Sequence, residues 1–212
     1  AGLVGAGRSE VARAVFGADP VRSGRVLLDG EEVRFRSPRD AMARGVAMLP
    51  EDRKGLSLFM DQSIGFNMGM AHLLKQRRTF VPHRALGRLL DRYQERLAIK
   101  LHRREDAVSS LSGGTQQKAV LARWLATDPD VLILDEPTHG VDVGAKAEIY
   151  RLVRELATGG VAVMLISSEM EEVIALSDRV AVMYHGTLKA TLEGEAISEA
   201  SIMAHAVGAP DA

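Results

Sequence analysis

The chain has no cysteine, and this absence excludes disulfide bonds and thiolate metal sites. No apolar run approaches the roughly 20 residues that cross a bilayer as a helix, so any membrane role predicted from the sequence is peripheral. The first residues carry no secretory-signal pattern. Charge of one sign is not in excess either, because the formal net charge is −1. These absences point away from secreted disulfide scaffolds and membrane-spanning proteins.

The composition is typical of a globular protein with a sizeable core, since 46% of the 212 residues are hydrophobic and 26% are charged. This length predicts one large domain, or one domain with a small subdomain. Apolar strand patterns at 46–49, 131–134 and 161–166 alternate with helical patterns at 38–43, at 147–157 and from Ser167-Ser168-Glu169 onward. The alternation predicts an α/β fold with a mainly parallel sheet flanked by helices. A small antiparallel hairpin is predicted at Arg25–Phe35, turning at Asp29-Gly30.

A glycine-rich segment opens the chain, with the sequence Gly2-Leu3-Val4-Gly5-Ala6-Gly7-Arg8-Ser9. It fits the phosphate-binding pattern G-x-x-x-x-G-K-S with arginine in place of lysine. The helix predicted at Ser9–Phe16 would direct its N-terminal amides at a phosphate group. Such a loop follows a β-strand, so we expect this chain to be part of a longer polypeptide. Taken alone, the segment also fits a plain turn before a helix.

A second possible anion site begins at Ser112-Gly113-Gly114. Two glycines allow close approach of a ligand to the backbone, and Ser112 is a suitable N-cap for the helix that follows. The unpaired amides and the dipole at such a helix start attract an anion. An ordinary helix start is the alternative for these three residues alone.

Two carboxylates, Asp135 and Glu136, directly follow an apolar run that reads as a buried parallel strand. Ligands of an open α/β sheet bind at the C-terminal ends of its strands. Asp135 is therefore predicted to hold Mg²⁺ through water, and Glu136 to orient or deprotonate an attacking water. A solvated acidic turn is the alternative for this pair alone.

Residues 62–101 have a helical pattern, and we predict a helical subdomain at about 62–112. Between His72 and Arg104 there are ten lysines and arginines but only two acidic residues. Four of the arginines recur at four-residue spacing: Arg84, Arg88, Arg92 and Arg96. A nucleic-acid surface is one interpretation. We favour a solvated face near anionic headgroups or a partner, because Phe80 and Tyr93 are the only aromatic residues there that could stack on bases.

The segments together resemble ABC-type ATPases over nearly the whole chain. Leu111–Lys118 resembles their signature motif, and Val131–Pro137 resembles their Walker B strand. The remaining segments that carry the resemblance are Gly5–Glu10, Pro50–Lys54, Gly140–Lys146 and Ser167–Glu169. The combination is similar to the second, C-terminal nucleotide-binding half of the ATP-binding subunit of ribose-, galactose- or xylose-type importers.

This resemblance implies a P-loop NTPase fold, ATP and Mg²⁺ as ligands, and an ATPase coupled to sugar import. It implies two halves that pair head to tail, from one polypeptide or from two copies. Each ATP would lie between the phosphate loop of one half and the signature motif of the other. The implied partners are a membrane permease and, indirectly, a periplasmic sugar-binding protein, and the implied location is the cytoplasmic face of the bacterial inner membrane.

The resemblance also implies roles for single residues. The implied nucleotide ligands are Gly5, Ala6, Gly7, Arg8, Ser9, Glu10, Ser112, Gly113, Gly114, Thr115, Gln116 and Asp142. Ser9 and Asp135 are the implied Mg²⁺ residues. Glu136 is the implied catalytic carboxylate, with Glu51 and Ser168 near the γ-phosphate.

Four of these positions depart from the general ABC pattern. Arg8 replaces lysine, Glu10 replaces a hydroxyl residue, Glu51 replaces glutamine and Ser168 replaces histidine. Carboxylates near a polyanion repel it by on the order of 1 kcal/mol in water at ~4 Å, and more in a cleft. The signature residues Ser112, Gly113 and Gly114 are intact. We therefore predict a half whose own phosphate site hydrolyses poorly, alone or in the assembly, but whose signature completes the partner's site.

Two alternative functions follow from the same residues. One is a non-catalytic nucleotide-binding regulatory module. The other is a soluble ABC ATPase that acts on nucleic acid or ribosomes, an interpretation that the basic helix supports and the Pro50–Lys54 loop opposes.

Overall fold

The computed structural model describes residues 1–76 and 83–208. The helices are α1 (Arg8–Val15), α2 (Pro38–Ala43), α3 (Ile64–Gln76), α4 (His83–Arg96), α5 (Gly113–Leu125), α6 (Val143–Thr158), α7 (Met170–Leu176) and α8 (Glu199–Ala206). The strands are β1 (Val26–Leu28), β2 (Glu31–Val33), β3 (Val46–Leu49), β4 (Val131–Asp135), β5 (Ala162–Ile166), β6 (Arg179–Tyr184) and β7 (Thr187–Glu193). The predicted α/β class is confirmed.

A parallel sheet with the order β3-β4-β5 forms the centre of the fold. Leu132, Ile133 and Leu134 of β4 are fully buried. Leu132 and Leu134 pack into one core cluster with residues of α5 and α6, whereas Ile133 packs into another with residues of α1 and α2. The alternation of side chains along β4 therefore buries both faces of the sheet under helices, as its uninterrupted apolar run predicts.

Two antiparallel hairpins accompany this sheet, β1–β2 and β6–β7. Asp29 and Gly30 turn the first with φ of 53° and 82°, and His185 and Gly186 turn the second with φ of 46° and 73°. Positive φ at both turn residues matches the right-handed twist of the flanking strands. The predicted turn at Asp29-Gly30 is confirmed.

The helical pattern predicted at 62–101 forms the two helices α3 and α4. Ala98 ends the second one, with a positive φ of 46°. Leu90 and Tyr93 of α4 are buried in the same core cluster as α5, so the helical segment shares the core of the main unit. Phe80 lies outside the described residues. The boundary of a separate subdomain at about 62–112 stays a prediction.

The helix predicted to start at Ser167–Glu169 begins later, at Met170. The Ser167 hydroxyl accepts a hydrogen bond from the Glu169 amide at 2.9 Å, and this local turn replaces the first helical turn. Helix α6 begins earlier than the predicted Ala147, because Asp142 caps it through the Ala145 amide at 3.0 Å.

A groove of about 1190 Å³ separates β5 from β6. Val163, Met164 and Leu165 of β5 are only half-buried beside it, although their neighbours on β4 are fully buried. At one end of the groove, Ala1 and Gly2 run parallel to β6: Met183 donates its amide to the Ala1 carbonyl at 2.9 Å. The strand predicted ahead of Gly2 stays a prediction.

Candidate nucleotide site

The glycine-rich loop at the start of the chain is fastened to the β6–β7 turn. Gly186 donates its amide to the Ala6 carbonyl at 2.9 Å, and a Cβ on Gly2 would lie 2.4 Å from the Met183 carbonyl oxygen. Gly5 and Gly7 have φ of 80° and 91°, a conformation that glycine adopts without strain. Gly7 caps α1 without a side chain, so the first amides of α1 remain available to an anion.

Arg8 turns its side chain into the protein, where only 8% of the residue is exposed. Its Nη1 donates to the Ser167 carbonyl at 2.6 Å, and its Nη2 lies 3.5 Å from Glu136 Oε1. The other oxygen of Glu136 accepts a hydrogen bond from Ser168 Oγ at 3.0 Å. Both oxygens of this carboxylate are therefore engaged by residues that depart from the ABC pattern.

Glu136 also has a strained backbone, with φ of 49°. This left-handed conformation is rare for a residue with a Cβ and occurs often at functional sites. The Glu136 amide donates to the Ile166 carbonyl at 2.8 Å, and its carbonyl accepts from the His139 amide at 3.2 Å. The turn after β4 is thus fixed from both sides.

Ser9 and Asp135 meet at the end of β4, where Ser9 Oγ donates to Asp135 Oδ1 at 3.0 Å. Burial raises the pKa of the Asp135 carboxyl, the Ser9 hydrogen bond lowers it, and the charges of Glu51 and Glu136 raise it further. Mg²⁺ prefers oxygen ligands and keeps several waters when it binds one carboxylate and substrate phosphates. The Ser9–Asp135 pair fits that chemistry. Within 1–76 and 83–208, no group of three or more histidine or acidic residues lies together so that it could hold a metal ion by itself.

Two further predicted site residues lie at the rim of this cluster. Glu10 is exposed in the first turn of α1, where a negative charge stabilises the helix dipole. Glu51 is also exposed and forms a pair with His139 at 3.8 Å. The rim therefore carries negative charge beside the loop that is predicted to bind phosphate.

Ser112 caps α5, because its hydroxyl accepts a hydrogen bond from the Thr115 amide at 3.3 Å. Thr115 Oγ1 lies 2.9 Å from the same hydroxyl. Gln116 faces the interior, is 5% exposed and donates to the Leu111 carbonyl at 3.0 Å. The open part of this helix start thus consists of Ser112 and Gly113.

The loop after Glu136 closes around this helix start. A Cβ on Gly114 would lie 3.2 Å from the Ala145 Cβ and 3.4 Å from Asp142 Oδ2, so the start of α5 packs closely against the start of α6. Gln117 Nε2 donates to the Pro137 carbonyl at 2.7 Å and ties α5 to the same loop. Asp142 therefore lies beside the signature segment while it caps α6.

The structure thus brings the predicted residues together in two clusters. The first joins Arg8, Ser9, Asp135, Glu136 and Ser168, and the second joins the start of α5 with Asp142. Segment 136–142 runs from one cluster to the other. The catalytic, nucleotide and Mg²⁺ roles of these residues stay predictions.

Sequence reasoning missed three contacts at the site. Arg53 reaches the start of α5, the Ser167 carbonyl holds Arg8, and Lys146 Nζ binds both oxygens of Glu169 at 2.5 Å. Arg53 had a signal, since Asp52 and Gly55 around it are typical of a tight turn. The other two join distant segments and leave no mark in the local sequence.

Comparisons with known proteins agree with this geometry. A family model described as "ABC transporter" matches residues 1–139. The ribose import ATP-binding protein RbsA 1 of Streptomyces coelicolor is 49% identical over 213 residues, which cover 98% of this chain and 41% of that protein. A putative ribose/galactose/methyl galactoside import ATP-binding protein of Pseudomonas syringae pv. tomato is 47% identical, with coverage of 98% and 40%. The chain spans about two fifths of the length of these relatives.

Solved structures share the fold. An ATP-binding cassette of an ABC transporter superposes with a TM-score of 0.80 at 21% identity and covers 95% of this chain and 84% of that one. The protein cbiO1 from Clostridium perfringens, part of the ABC transporter complex cbiONQ, has a TM-score of 0.76 at 22% identity, with coverage of 96% and 80%. The predicted P-loop NTPase fold is thereby confirmed. Among the described helices, none is both long and apolar enough to span a membrane.

Proposed function

The chain belongs to the ABC transporter family, and from that premise we propose that it is one ATP-binding half of a ribose-type sugar importer. In this proposal its signature segment completes the ATP site of a partner half, while its own phosphate site holds nucleotide and cleaves it poorly. The ligands are ATP and Mg²⁺. The partners are the other half, a permease and, through it, a periplasmic sugar-binding protein, on the cytoplasmic face of a bacterial inner membrane.

The names of the relatives support the sugar-import part of this proposal, since two proteins at 47–49% identity are ribose-type import ATP-binding proteins. The length of these relatives supports the proposal that this chain is one half of a longer polypeptide. A protein of which this chain covers 41% has room for a second unit of similar size. We further propose that 1–212 is one nucleotide-binding unit that contains a helical subdomain at about 62–112.

The buried ion pair of Arg8 is the observation that carries the proposal of a weak catalytic site. To bind phosphate, Arg8 would have to leave the Ser167 carbonyl at 2.6 Å and Glu136 at 3.5 Å. Breaking a buried charge-assisted hydrogen bond costs roughly 1.5–3 kcal/mol. Glu136 itself is held by Arg8 and Ser168, so a water molecule must compete with both for the carboxylate that would activate it.

The signature segment, by contrast, is free to bind. Ser112 is exposed at the N-terminus of a 13-residue helix, and Gly113 presents its amide beside it. An anion at these groups does not have to separate a buried ion pair such as that of Arg8 and Glu136. This difference between the two clusters supports the asymmetric role that the sequence predicts.

An exposed apolar patch supports a protein partner such as the permease. Leu56, Phe59 and Phe66 are 64%, 50% and 46% exposed, and they follow the Pro50–Gly55 loop. The rings of Phe59 and Phe66 pack edge to face with their centroids 5.7 Å apart. Adjacent exposed aromatic rings of this kind are typical of an interaction surface.

The basic helix α4 supports a nucleic-acid function less well. Arg84, Arg88, Arg92 and Arg96 are exposed, as their spacing predicts. However, Tyr93 is buried and donates its hydroxyl to the Leu125 carbonyl at 2.6 Å, so it is not available to stack on a base. RNA or DNA binding with a steep salt dependence would revive this alternative.

The test compares Ser112→Arg with Glu136→Gln in the full-length polypeptide, assembled with its permease in membranes. Arginine at position 112 blocks the approach of phosphate to α5, so we expect transport-coupled ATPase activity to be lost. Glu136→Gln removes a carboxylate that is already engaged, so we expect a much smaller decrease. Ser109→Arg is the matched control, because Ser109 is exposed just ahead of the helix and its side chain makes no hydrogen bond within the described residues.

Equal losses in the two variants would contradict the asymmetry. Single-turnover hydrolysis by the isolated chain addresses the regulatory alternative. We expect little hydrolysis without the partner, and a partner that restores none would favour a non-catalytic nucleotide-binding module.

A further inference from the structure

We infer that Arg53 belongs to the signature site and supplies positive charge to the γ-phosphate of the nucleotide held by the partner half. This inference rests on the proposed function, because it adds a residue to the same site. It is carried by the position of the Arg53 guanidinium at the start of α5.

A tight turn fixes the backbone of Arg53. The Asp52 side chain accepts a hydrogen bond from the Gly55 amide at 2.9 Å, and the Arg53 carbonyl accepts one from the Leu58 amide at 2.7 Å. A Cβ on Gly55 would lie 2.3 Å from Asp52 Oδ2, so a larger residue there would displace the capping carboxylate. The segment 53–57 forms one wide helical turn of the π type, a geometry that is frequent at functional sites.

The guanidinium of Arg53 lies against the glycine that opens α5. Its Nη2 is 3.0 Å from the position that a Cβ on Gly113 would occupy and 3.8 Å from the corresponding position on Gly140. Its Nη1 donates to the His139 carbonyl at 3.4 Å. This one long bond orients the side chain, and Nη2 makes no hydrogen bond within residues 1–76 and 83–208. The unused donors therefore lie beside the amides of the helix start.

The local charges explain why a cation is useful here. The carboxylate of Asp142 caps α6 and lies 3.4 Å from the Cβ position of Gly114. A carboxylate about 4 Å from a phosphate opposes binding, by on the order of 1 kcal/mol in water and several times that in a cleft. Arg53 approaches the same helix start and offsets this repulsion. Its guanidinium is always charged and forms charge-assisted hydrogen bonds with phosphate oxygens.

A purely structural role makes a different prediction. If Arg53 only braced the loop at His139–Gly140 against α5, its removal would weaken every nucleotide equally. A contact with the γ-phosphate acts on ATP and on the transition state but not on ADP. The comparison of ATP with ADP therefore separates the two roles.

The experiment uses the full-length ATP-binding polypeptide with the variants Arg53→Ala, Arg53→Lys and Ser112→Arg. Arg39→Ala is the control, because Arg39 is an exposed arginine on α2. Steady-state kinetics give kcat and KM for ATP, and equilibrium binding of fluorescent ADP gives its affinity. We expect Arg53→Ala to lower kcat/KM about tenfold or more, in line with the loss of one transition-state donor, while the ADP affinity stays within about twofold. We expect Arg53→Lys to recover most of the loss, because it keeps the charge.

Several outcomes overturn the inference. The inference is wrong if Arg53→Ala behaves as Arg39→Ala does, if Arg53→Ala weakens ADP binding as much as ATP binding, or if Arg53→Lys is as impaired as Arg53→Ala. The Ser112→Arg variant separates these failures from a failure of the proposed function. If it abolishes ATPase activity while Arg53→Ala changes nothing, only the role of Arg53 is wrong; if it also changes nothing, the signature role is wrong.

Discussion

Glu172 brings a carboxyl group into the interior at the start of α7. It is 0% exposed, and neither of its oxygens has a well-formed hydrogen bond within the described residues, although Ser167 and Thr138 lie close. Burial raises the pKa of this carboxyl, nearby hydroxyls oppose the rise, and the charges of Glu169 and Glu136 add to it. The ionised form is therefore disfavoured in the folded protein.

The direction in which folding stability changes with pH follows from this raised pKa. At a pH below its ordinary pKa, Glu172 is protonated in both the folded and the unfolded state, so its ionisation does not lower the stability of the fold. As the pH rises, the unfolded state releases the proton more readily, so the folded protein loses stability. We expect Glu172→Gln to raise the free energy of unfolding at pH 8 by roughly 1–2 kcal/mol, with a smaller gain near pH 5.

Urea denaturation of both proteins at the two pH values measures this difference. Glu171→Gln is the matched control, because Glu171 is an exposed neighbour on the same helix. A gain for Glu172→Gln that does not depend on pH would contradict ionisation as its cause.

In the candidate nucleotide site, the backbone geometry of single residues was largely predictable from the sequence, whereas the long-range contacts were not. Gly5 and Gly7 have the positive φ that the glycine pattern indicates, and Ser112 caps α5 as predicted. The bond from Arg8 to the Ser167 carbonyl spans 159 residues and ends on a main-chain oxygen. Any residue at position 167 would offer that oxygen, so the sequence carries no signal for it.

At the scale of secondary-structure elements, Arg123 joins α5 to α3 and to the turn at 53–57. It is 4% exposed, and its Nε donates to the Asn67 carbonyl at 2.6 Å. Its Nη2 donates to Asn67 Oδ1 at 2.9 Å, and its Nη1 donates to the Ser57 carbonyl. Burial lowers the pKa of this guanidinium to about 10, so it remains charged at neutral pH.

Arg123→Leu should destabilise the protein by about 3 kcal/mol, because it removes three buried charge-assisted hydrogen bonds, to the Asn67 carbonyl, Asn67 Oδ1 and the Ser57 carbonyl. Guanidinium denaturation followed by circular dichroism measures the change. Arg151→Leu is the control: Arg151 lies exposed on α6 and, in the described part of the chain, pairs only with Glu155 at 3.6 Å, so its loss should cost less than about 0.5 kcal/mol. Similar losses in both variants would mean that the network around Arg123 contributes little.

Elements with their own capping or turn residues were predicted closely. Helix α2 spans Pro38–Ala43 and strand β3 spans Val46–Leu49, as predicted, because Ser37 caps the helix and Gly45 turns the chain before the strand. The start of α7 was placed too early, since the Ser167 hydroxyl competes with the helix for the Glu169 amide. Local competition of this kind depends on a side-chain rotamer that periodicity does not reveal.

At the scale of the whole molecule, the strands differ in how completely they are paired. Within residues 1–76 and 83–208, β4 has a partner on each side, whereas β5 pairs only with β4, and β6 pairs only with β7 apart from the short contact with Ala1 and Gly2. We expect amides of β5 and β6 that point into the groove to exchange with solvent at least about tenfold faster than those of β4. Hydrogen–deuterium exchange by mass spectrometry measures this on the present chain, and equal protection of β4 and β5 would contradict the open edges.

The overall order of the strands was only partly predictable. Uninterrupted apolar runs indicate buried parallel strands, but they do not say which strands are neighbours. β3 and β4 pair although 85 positions separate Leu49 from its partner Leu134. The fold class came from the alternation of helices and strands, and the placement of the two site clusters came from the family resemblance.

The open groove between β5 and β6 has a consequence for how this polypeptide behaves in concentrated solution. The run from Val161 to Ile166 is uncharged, rich in β-branched residues and free of proline, and one edge of it is unpaired among the residues that the structure describes. Such an edge is a template on which a strand of another copy can add, the first step of ordered aggregation. A segment that covers that edge would therefore also protect the chain against such addition.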